Sequence, residues 1–416
     1  MVQHMGYGTH KIKARNFWAY LFFILMLAFT TFEFFFRENL LSFGLIGFVL
    51  IYYLFNCKLY ITKEIFFVLC TFILGYFFQY VFISSQIITL FIGRCLLLFG
   101  AFLIASIIER QFVSIFVNTI LVISIISLIF YFLSYIPSVK SFLMEEIAPK
   151  CVSLNVEKAV QEGGGINILI YNFQTDYIFK TIGYSRNCGP FWEPGMFAVF
   201  LNIALFLHNF IGKPNVFCNL ILIVSLITTF STGGYAVALF IFLVYILQFK
   251  QNVFFLVLEV LVFIWVFIEL QELEYIGEKI QNQLDSAHAG MGSDLSRFGA
   301  MLTQLEMIKA SPFLGGEEIS KYLTNSRSKT LASGLLYPMV ELGVPLALVY
   351  YYYLCKSCVC ISKSYNSSIL IGLFLFVVIM FLSISQTILS SLWMYVFLFV
   401  GLLRLQRLKY KKNGKI

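Results

Sequence analysis

The sequence predicts an all-α polytopic integral membrane protein, with about 12 transmembrane helices that form a single membrane domain over residues 1–416. Of the 416 residues, 60% are hydrophobic and 12% are charged, whereas soluble domains carry about 25% charged residues. The mean hydropathy is +0.87. Apolar runs recur along the chain at close to the ~20 residues that a membrane-spanning helix needs. This composition excludes a soluble enzyme.

Twelve apolar runs are predicted to cross the bilayer. They cover residues 17–36, 40–56, 65–84, 87–107, 112–136, 189–212, 216–230, 232–249, 253–270, 335–355, 368–387 and 389–405. No cleavage site of small residues follows the first run, so we expect a retained helix rather than a secretion signal.

The Lys and Arg residues predict the orientation, because short cytoplasmic loops are enriched in both. With the N-terminus inside, sixteen basic residues fall in inner segments, and the short outer connections hold only Arg37. The inner residues are Lys11, Lys13, Arg15, Lys58, Lys63, Arg110, Lys213, Lys250, Lys356, Lys363, Arg404, Arg407, Lys409, Lys411, Lys412 and Lys415. Both termini are therefore predicted to be cytoplasmic. The net charge of +8 follows from this asymmetry and does not indicate nucleic-acid binding.

Two long loops, 137–188 and 271–334, are predicted to lie on the outer face. In the first loop, residues 166–173 follow three glycines and are expected to form a short strand. The second loop is expected to hold two amphipathic helices that lie on the membrane surface or on the bundle. Their apolar residues at helical spacing are Leu273, Ile276, Ile280 and Leu284, and then Leu295, Phe298, Leu302 and Leu305. A disulfide between Cys151 and Cys188 is left open.

Ionisable residues inside spans are expensive to bury and are therefore candidates for function. Arg94 falls in the fourth predicted span, Glu193 in the sixth and Glu341 in the tenth. Arg186 immediately precedes the sixth span, and Arg297 starts the second amphipathic helix. With both termini in the cytoplasm, these charges are predicted to converge near the outer head groups, at the same depth as Glu33.

Each charge also has a purely structural interpretation. Arg94 would form an ion pair with Glu193 or Glu341, or extend its stem toward the head groups. Glu193 would neutralise an arginine, and Arg186 and Arg297 would be solvated loop charges. No metal or cofactor site is predicted. The spacing of Cys355, Cys358 and Cys360 lacks a second ligand pair and is more typical of core thiols.

Residues 185–198 read Ser-Arg-Asn-Cys-Gly-Pro-Phe-Trp-Glu-Pro-Gly-Met-Phe-Ala. This segment resembles a pattern in bacterial O-antigen and exopolysaccharide polymerases of the Wzy type, in which an Arg, a Gly, an aromatic residue and Glu-Pro precede a helix of small residues. Two further stretches are similar to that family. They are Phe230-Ser-Thr-Gly-Gly at 230–234, and Ser296-Arg297 followed by Pro-Phe-Leu-Gly-Gly at 312–316. The resemblance covers the middle and C-terminal two-thirds of the chain.

The resemblance implies a glycosyltransferase that joins oligosaccharide repeat units carried on undecaprenyl pyrophosphate, at the periplasmic face of the bacterial inner membrane and without a cofactor. The growing chain would pass from its lipid carrier to a sugar hydroxyl of the next unit. Taken with the buried charges, the resemblance assigns catalysis to Glu193, Arg186 and Arg297, and substrate binding to Arg94, Tyr184, Trp192 and Glu341. The implied partners are the lipid-linked oligosaccharide, membrane lipid, and a chain-length regulator and flippase of the same pathway, with no nucleic acid.

Two other functions fit the same composition. The first is an O-antigen ligase or another lipid-linked glycosyltransferase. Ligases carry a histidine motif before the span that follows the last large loop, and this chain has Leu-Ala-Ser-Gly-Leu at 331–335 instead. The second is a flippase or transporter of lipid-linked oligosaccharides, which is expected to show paired halves and discontinuous helices at the midplane. The predicted position of the charges near one face favours chemistry at the outer surface.

Overall fold

The computed structural model describes residues 3–35, 39–57, 61–83, 86–151, 166–173, 185–248, 297–317 and 333–412. These residues are mostly α-helical.

The first helices are α1 (Gln3–Thr31), α2 (Asn39–Asn56), α3 (Lys63–Phe82), α4 (Ile88–Ile108), α5 (Phe112–Leu133) and α6 (Pro137–Ser141). A 3₁₀ turn, Glu109–Gln111, joins α4 to α5, and a π-helical segment (Phe142–Ile147) and a 3₁₀ turn (Ala148–Cys151) follow α6.

Two strands and eight helices follow. They are β1 (Ile166–Asn167), β2 (Asn172–Phe173), α7 (Pro194–Phe206), α8 (Val216–Thr228), α9 (Thr232–Gln248), α10 (Arg297–Ala310), α11 (Tyr337–Leu342), α12 (Val344–Ser364), α13 (Ile369–Ser385) and α14 (Leu392–Lys412). A π-helical segment, Leu207–Ile211, extends α7.

Four helical segments are long and apolar enough to cross a membrane, judged by length and composition: Lys63–Phe82, Ile88–Leu133, Pro194–Ile211 and Val344–Ser364. The second has 46 residues and would extend about 69 Å at 1.5 Å per residue, roughly twice the thickness of the hydrocarbon core. The 3₁₀ turn divides it into α4 and α5. Every predicted apolar run except 253–270 overlaps a described helix, and 253–270 lies outside the described residues.

The ends of the helices meet in two groups. In the first group, the backbone N–H of Glu33, just after α1, donates to the Pro190 carbonyl at 2.9 Å. The Asn187 N–H donates to the carbonyl of Thr228, the last residue of α8, at 2.9 Å. Residues 185–193, which lead into α7, therefore lie against the C-terminal ends of α1 and α8.

The same group includes the C-terminal ends of α13 and α3. Gln386, directly after α13, abuts both Gly195 at the start of α7 and Gly334 before α11. Gln79, near the end of α3, donates through Nε2 to the Glu341 carbonyl of α11 at 2.7 Å. We call this end of the bundle the Glu193 end.

The opposite group is organised by Arg404 of α14, a residue that is only 7% exposed. Its Nε donates to the Glu109 carbonyl at 2.8 Å, and its Nη2 donates to the Arg110 carbonyl at 3.0 Å. The guanidinium also donates to the Ser364 hydroxyl at 2.6 Å and to the Tyr365 hydroxyl at 2.8 Å. We call this the Arg404 end. Helices of 17 to 22 residues, such as α9 and α5, separate the two ends by about 25–33 Å.

Small residues let the C-terminal helices pack closely. A side-chain carbon at Gly401 of α14 would collide with Ser357 of α12, and one at Gly372 of α13 would collide with the backbone of Val359, also in α12. Close backbone approach through small residues is typical of helix packing in membranes, where apolar surface alone gives no preference for protein over lipid.

The segment predicted to form one strand forms a hairpin instead. Strand β1 pairs antiparallel with β2, with Ile166 opposite Phe173 and Asn167 opposite Asn172. The chain reverses because Leu169 adopts a left-handed conformation with φ of 65°. Eight residues therefore form two very short strands, and the single-strand prediction is wrong. Cys151 and Cys188 do not form a disulfide with each other.

The second predicted amphipathic helix corresponds to α10, but a different face contacts the protein. Ala300, Gln304 and Met307 are buried, whereas Leu302 and Leu305 are 41% and 42% exposed. Leu302 and Leu305 of the predicted apolar stripe therefore face away from the bundle, because α10 packs on α11 through a face of small, amide and Met side chains. The other predicted amphipathic helix, 273–284, lies outside the described residues.

Replacing Arg404 with Gln is expected to destabilise the fold by about 2–3 kcal/mol, because buried carbonyl groups lose a charged donor. Equilibrium unfolding of the purified protein in mixed detergent micelles measures this change. Arg110→Gln, which removes an exposed guanidinium at the same end, is the control and is expected to unfold like the wild type. An unchanged midpoint for Arg404→Gln would contradict a structural role for Arg404.

Candidate functional site

Glu193 lies at the start of a helix and not inside one. The sixth span was predicted to begin at residue 189, but α7 begins at Pro194, and Glu193 is its extended N-cap residue with φ of −151°. Gly189 adopts a left-handed conformation with φ of 53°, which interrupts any helix through it. Proline favours the first helical position because it has no N–H to satisfy and its φ is fixed.

Arg186 and Asn187 bind the end of α8. Arg186 donates through Nε to the Thr229 carbonyl at 3.0 Å and through Nη2 to the Phe230 carbonyl at 3.1 Å. Asn187 donates through Nδ2 to the Thr228 hydroxyl at 2.9 Å. The last carbonyls of a helix have no partner within it, and a positive charge there also interacts favourably with the helix dipole. Arg186 therefore caps α8 while lying seven residues before Glu193 in the sequence.

The hairpin holds the turn before Glu193 from the other side. Asn172 donates its N–H to the Gly189 carbonyl at 2.7 Å. Its side-chain amide donates to the carbonyls of Phe191 at 3.0 Å and Trp192 at 3.3 Å. The Trp192 side chain is half-buried against the main core. Tyr184, the other predicted aromatic contact, lies outside the described residues.

The Glu193 side chain is half-buried. No hydrogen bond or ion pair joins its carboxylate to any other described residue, so neither Arg94 nor Arg186 forms an ion pair with it. The carboxylate is thus positioned by its backbone and remains available to a ligand.

Arg94 forms a polar cluster with residues from α3 and α11. Its Nη1 donates to Gln79 Oε1 at 2.7 Å, and its Nη2 lies 3.7 Å from Glu341 Oε1. The guanidinium carbon is 5.6 Å from the centre of the Tyr76 ring. Of the two carboxylates that the sequence offered as partners for Arg94, Glu341 is the one in contact.

Glu341 also lies outside the helix in which it was predicted. It belongs to the last turn of α11, and the membrane-length helix α12 begins only at Val344. Between them Gly343 adopts φ of 79°, a conformation that glycine tolerates and other residues avoid. The prediction of one continuous span over 335–355 is therefore wrong. Burial raises the pKa of the Tyr337 phenol, one turn earlier in α11; nearby Glu341 raises it further and Arg94 lowers it.

The turn after α10 is docked on this helix break. The Val344 N–H donates to the Pro312 carbonyl at 2.8 Å, and the Gly316 N–H donates to the Val340 carbonyl at 2.7 Å. Gln79 adds a side-chain bond from Nε2 to the Leu314 carbonyl. Arg94 orients this amide by binding its oxygen, so the guanidinium helps to fix the position of the turn.

The predicted site residues therefore fall into distinct local groups. Arg94 and Glu341 are in contact, and Arg186 shares no described partner with them. Arg297 begins α10, and its side chain lies outside the described residues. Within the described part of the chain, no group of three His, Cys, Asp or Glu side chains could hold a metal ion.

Sequence reasoning missed three glutamines at the Glu193 end: Gln79, Gln304 and Gln386. Each is at most 4% exposed. Amides carry no formal charge, so a search for charges in apolar runs passes over them. The sequence did contain a signal for them, namely a Gln within or next to an apolar segment, because a buried amide needs hydrogen-bond partners as a charge does.

Comparisons with protein-family models, with curated proteins and with solved structures find no match to this chain. The assignment of a function therefore rests on the residues and the geometry described above.

Replacing Gly343 with Ala is expected to lower the free energy of unfolding by more than about 1–2 kcal/mol. The left-handed conformation alone has a cost of that order, and the new methyl group would collide with the Phe313 carbonyl. Thermal unfolding in detergent measures the effect. Gly47→Ala in α2 is the matched control, because no atom lies within 4 Å of the added carbon. Equal loss of stability in both variants would contradict the docking described here.

Proposed function

We propose that this chain is a glycosyltransferase that polymerises undecaprenyl-pyrophosphate-linked oligosaccharide repeat units into O-antigen or a related surface polysaccharide. It would span the bacterial inner membrane twelve times, with both termini in the cytoplasm and the Glu193 end at the periplasmic face. The observation that carries the proposal is the Arg186–Glu193 segment. It resembles the polymerase pattern, and its carboxylate has no ionic partner among the described residues.

The transfer reaction needs groups of two kinds. The bond between the anomeric carbon of the growing chain and the pyrophosphate breaks, and a hydroxyl oxygen of the next unit bonds to that carbon. The hydroxyl proton goes to a base, and undecaprenyl pyrophosphate leaves with the bonding electron pair. A carboxylate is a suitable proton acceptor, and guanidinium groups bind phosphate oxygens with charge-assisted hydrogen bonds.

We assign the base to Glu193, since the described part of the chain gives it no partner that would consume its lone pairs. Arg186 and Arg297 would stabilise the charge that develops on the leaving pyrophosphate. A guanidinium carries five N–H groups, and two of those on Arg186 are bonded to Thr229 and Phe230. These bonds fix the orientation of the guanidinium, and a donor that is already oriented stabilises developing charge without reorganisation.

The remaining assignments concern substrate binding. Trp192 adjoins Glu193 and offers an aromatic face to a sugar ring, and Tyr184 is proposed for the same role. The Arg94–Glu341 pair combines a donor and an acceptor and would bind the lipid-linked substrate beside the turn that follows α10. A chain-length regulator and a flippase of the same pathway are the proposed protein partners.

Incubation of the purified protein with one lipid-linked repeat unit tests the proposal. A ladder of products longer than one unit supports a polymerase. Transfer to lipid A core alone would indicate a ligase, and movement across vesicles without new bonds would indicate a flippase. Either of these two results would overturn the proposal.

Glu193→Gln is expected to reduce polymer formation by about 10²–10⁴-fold, the usual range for loss of a general base. The variant should unfold like the wild type, because no described side-chain bond of Glu193 is lost. Glu306→Gln, at an exposed position on α10, is the control and should keep full activity. An unchanged product ladder for Glu193→Gln would remove Glu193 from the reaction.

Arg186→Ala and Arg297→Ala are expected to leave the protein in the membrane and to abolish long-chain product. Arg186→Lys should also lose at least about 100-fold, because one ammonium cannot reproduce the planar fork of a guanidinium. Arg110→Lys at the Arg404 end is the control for this exchange and should be fully active. Full activity of Arg186→Lys would mean that Arg186 supplies charge balance only.

A further inference from the structure

Gln386 connects two parts of the Glu193 end that are distant in sequence. It follows the last residue of α13 in an extended conformation, with φ of −147° and ψ of 142°. Two glycines let its neighbours approach it. A side-chain carbon at Gly195 would collide with Gln386 Nε2, and one at Gly334 would collide with the Gln386 carbonyl.

An amide and a carboxylate both lie beside Gly195. The same added carbon at Gly195 that collides with Gln386 Nε2 would lie 3.6 Å from Glu193 Oε1. Both polar atoms therefore lie next to residue 195 and within about 6 Å of each other. With hydrogen bonds of about 2.7–3.0 Å, one hydroxyl group placed between them reaches both.

Neither group uses its hydrogen-bonding capacity inside the described protein. No described residue forms a hydrogen bond with the Gln386 side chain, although Gln386 is 4% exposed. Two polar side chains that lie next to each other, and that have no hydrogen bond to a described residue, indicate a bound polar molecule.

The position of Gln386 is fixed from its other side. The Gly334 N–H donates to the Ser383 carbonyl at 2.8 Å. Gln304 of α10 donates through Nε2 to the Ser333 carbonyl at 2.6 Å and is fully buried. The amide of Gln386 thus projects from an anchored backbone, as expected for a residue that orients a ligand and not for a surface side chain.

On these grounds, and resting on the proposed function, we infer that Gln386 and Glu193 together bind the attacking hydroxyl of the acceptor sugar. The carboxylate accepts the hydroxyl proton, and Nε2 of Gln386 donates to the hydroxyl oxygen. A carboxylate has acceptors only, whereas a primary amide supplies donors, so the two groups suit the two functions of one hydroxyl.

Because Gln386 is uncharged, it influences which acceptor sugar the site binds. A cation in the same place would form an ion pair with Glu193 and occupy the oxygen that has to accept the hydroxyl proton. An amide donates a hydrogen bond without that penalty. It also offers no charge to a phosphate or carboxylate on the acceptor, and Glu193 repels both. The site therefore selects an uncharged, hydroxyl-bearing sugar at the point of attachment.

The test uses the full-length protein purified in detergent. The donor is the lipid-linked repeat unit purified from the strain that carries this chain. The acceptor is the same oligosaccharide freed of lipid and labelled with a fluorophore at its reducing end. Gln386→Leu is expected to raise the KM for the labelled acceptor at least about tenfold, the effect of one lost hydrogen bond of this kind, while the KM for the donor stays unchanged.

Two further variants separate binding from folding. Gly195→Ala is expected to raise the same acceptor KM, because its methyl group would displace the Gln386 amide from its place beside Glu193. Gln111→Leu removes a half-buried amide at the Arg404 end, where it binds Asn16 at 2.9 Å, and should leave both KM values unchanged. Direct binding of the labelled oligosaccharide, measured by fluorescence anisotropy on Glu193→Gln protein with and without Gln386→Leu, gives the same comparison without turnover.

The outcomes distinguish the role inferred for Gln386 from the polymerase function proposed for the whole protein. If the wild type makes polymer and Gln386→Leu keeps the acceptor KM and the oligosaccharide affinity of its parent, the role of Gln386 is overturned and the proposed function stands. An equal rise in donor and acceptor KM would also overturn it, because that result indicates general damage to the fold. If the wild type makes no polymer and does not bind the oligosaccharide, both proposals fail together.

Discussion

Main-chain carbonyl groups without a helical partner govern where the polar side chains of this protein lie. The last carbonyls of every helix lack an N–H partner within that helix, and apolar surroundings offer little water to replace it. Arg186 and Arg404 each donate to two carbonyls at or just after a helix end. Gln79 donates to one carbonyl in the last turn of α11 and to one in the turn after α10. Residues that look anomalous in an apolar sequence are therefore explained first by the places where helices stop, and any chemistry has to be built around those positions.

The need to satisfy these carbonyl groups also favours the proposed transfer reaction. An arginine that already binds two carbonyls has a fixed orientation, as Arg186 does, and catalysis by charge stabilisation depends on donors that do not move. Glu193 and Gln386 differ from it, since neither side chain has a hydrogen bond to another described residue. The Glu193 end thus combines donors held by the protein with an acid–amide pair left for a ligand.

Each of the four membrane-length helical segments overlaps at least one apolar run that hydropathy predicted, because the need to bury apolar side chains acts along the whole run and tolerates errors in boundaries. Hydropathy failed at the breaks, although Pro194 and Gly343 were visible as signals, because averaging over a window smooths a single helix-ending residue. The cost of burying charge identified Arg94, but its partner Glu341 is remote in sequence, and only the folded chain could decide between two carboxylates. Gln386 was missed because only charged side chains were considered unfavourable to bury, and a neutral amide was not counted among them.

The contact between Gln386 and the Glu193 segment joins residues that are synthesised at different times. The hairpin that holds Glu193 precedes α7 by about twenty residues and is therefore made before it. Gln386, by contrast, lies 193 residues after Glu193 in the sequence. Membrane insertion proceeds from the N-terminus as the ribosome elongates the chain. A nascent polypeptide would therefore carry Glu193 well before the amide beside it is made, so that the proposed acceptor site is assembled only after residue 386 has been synthesised.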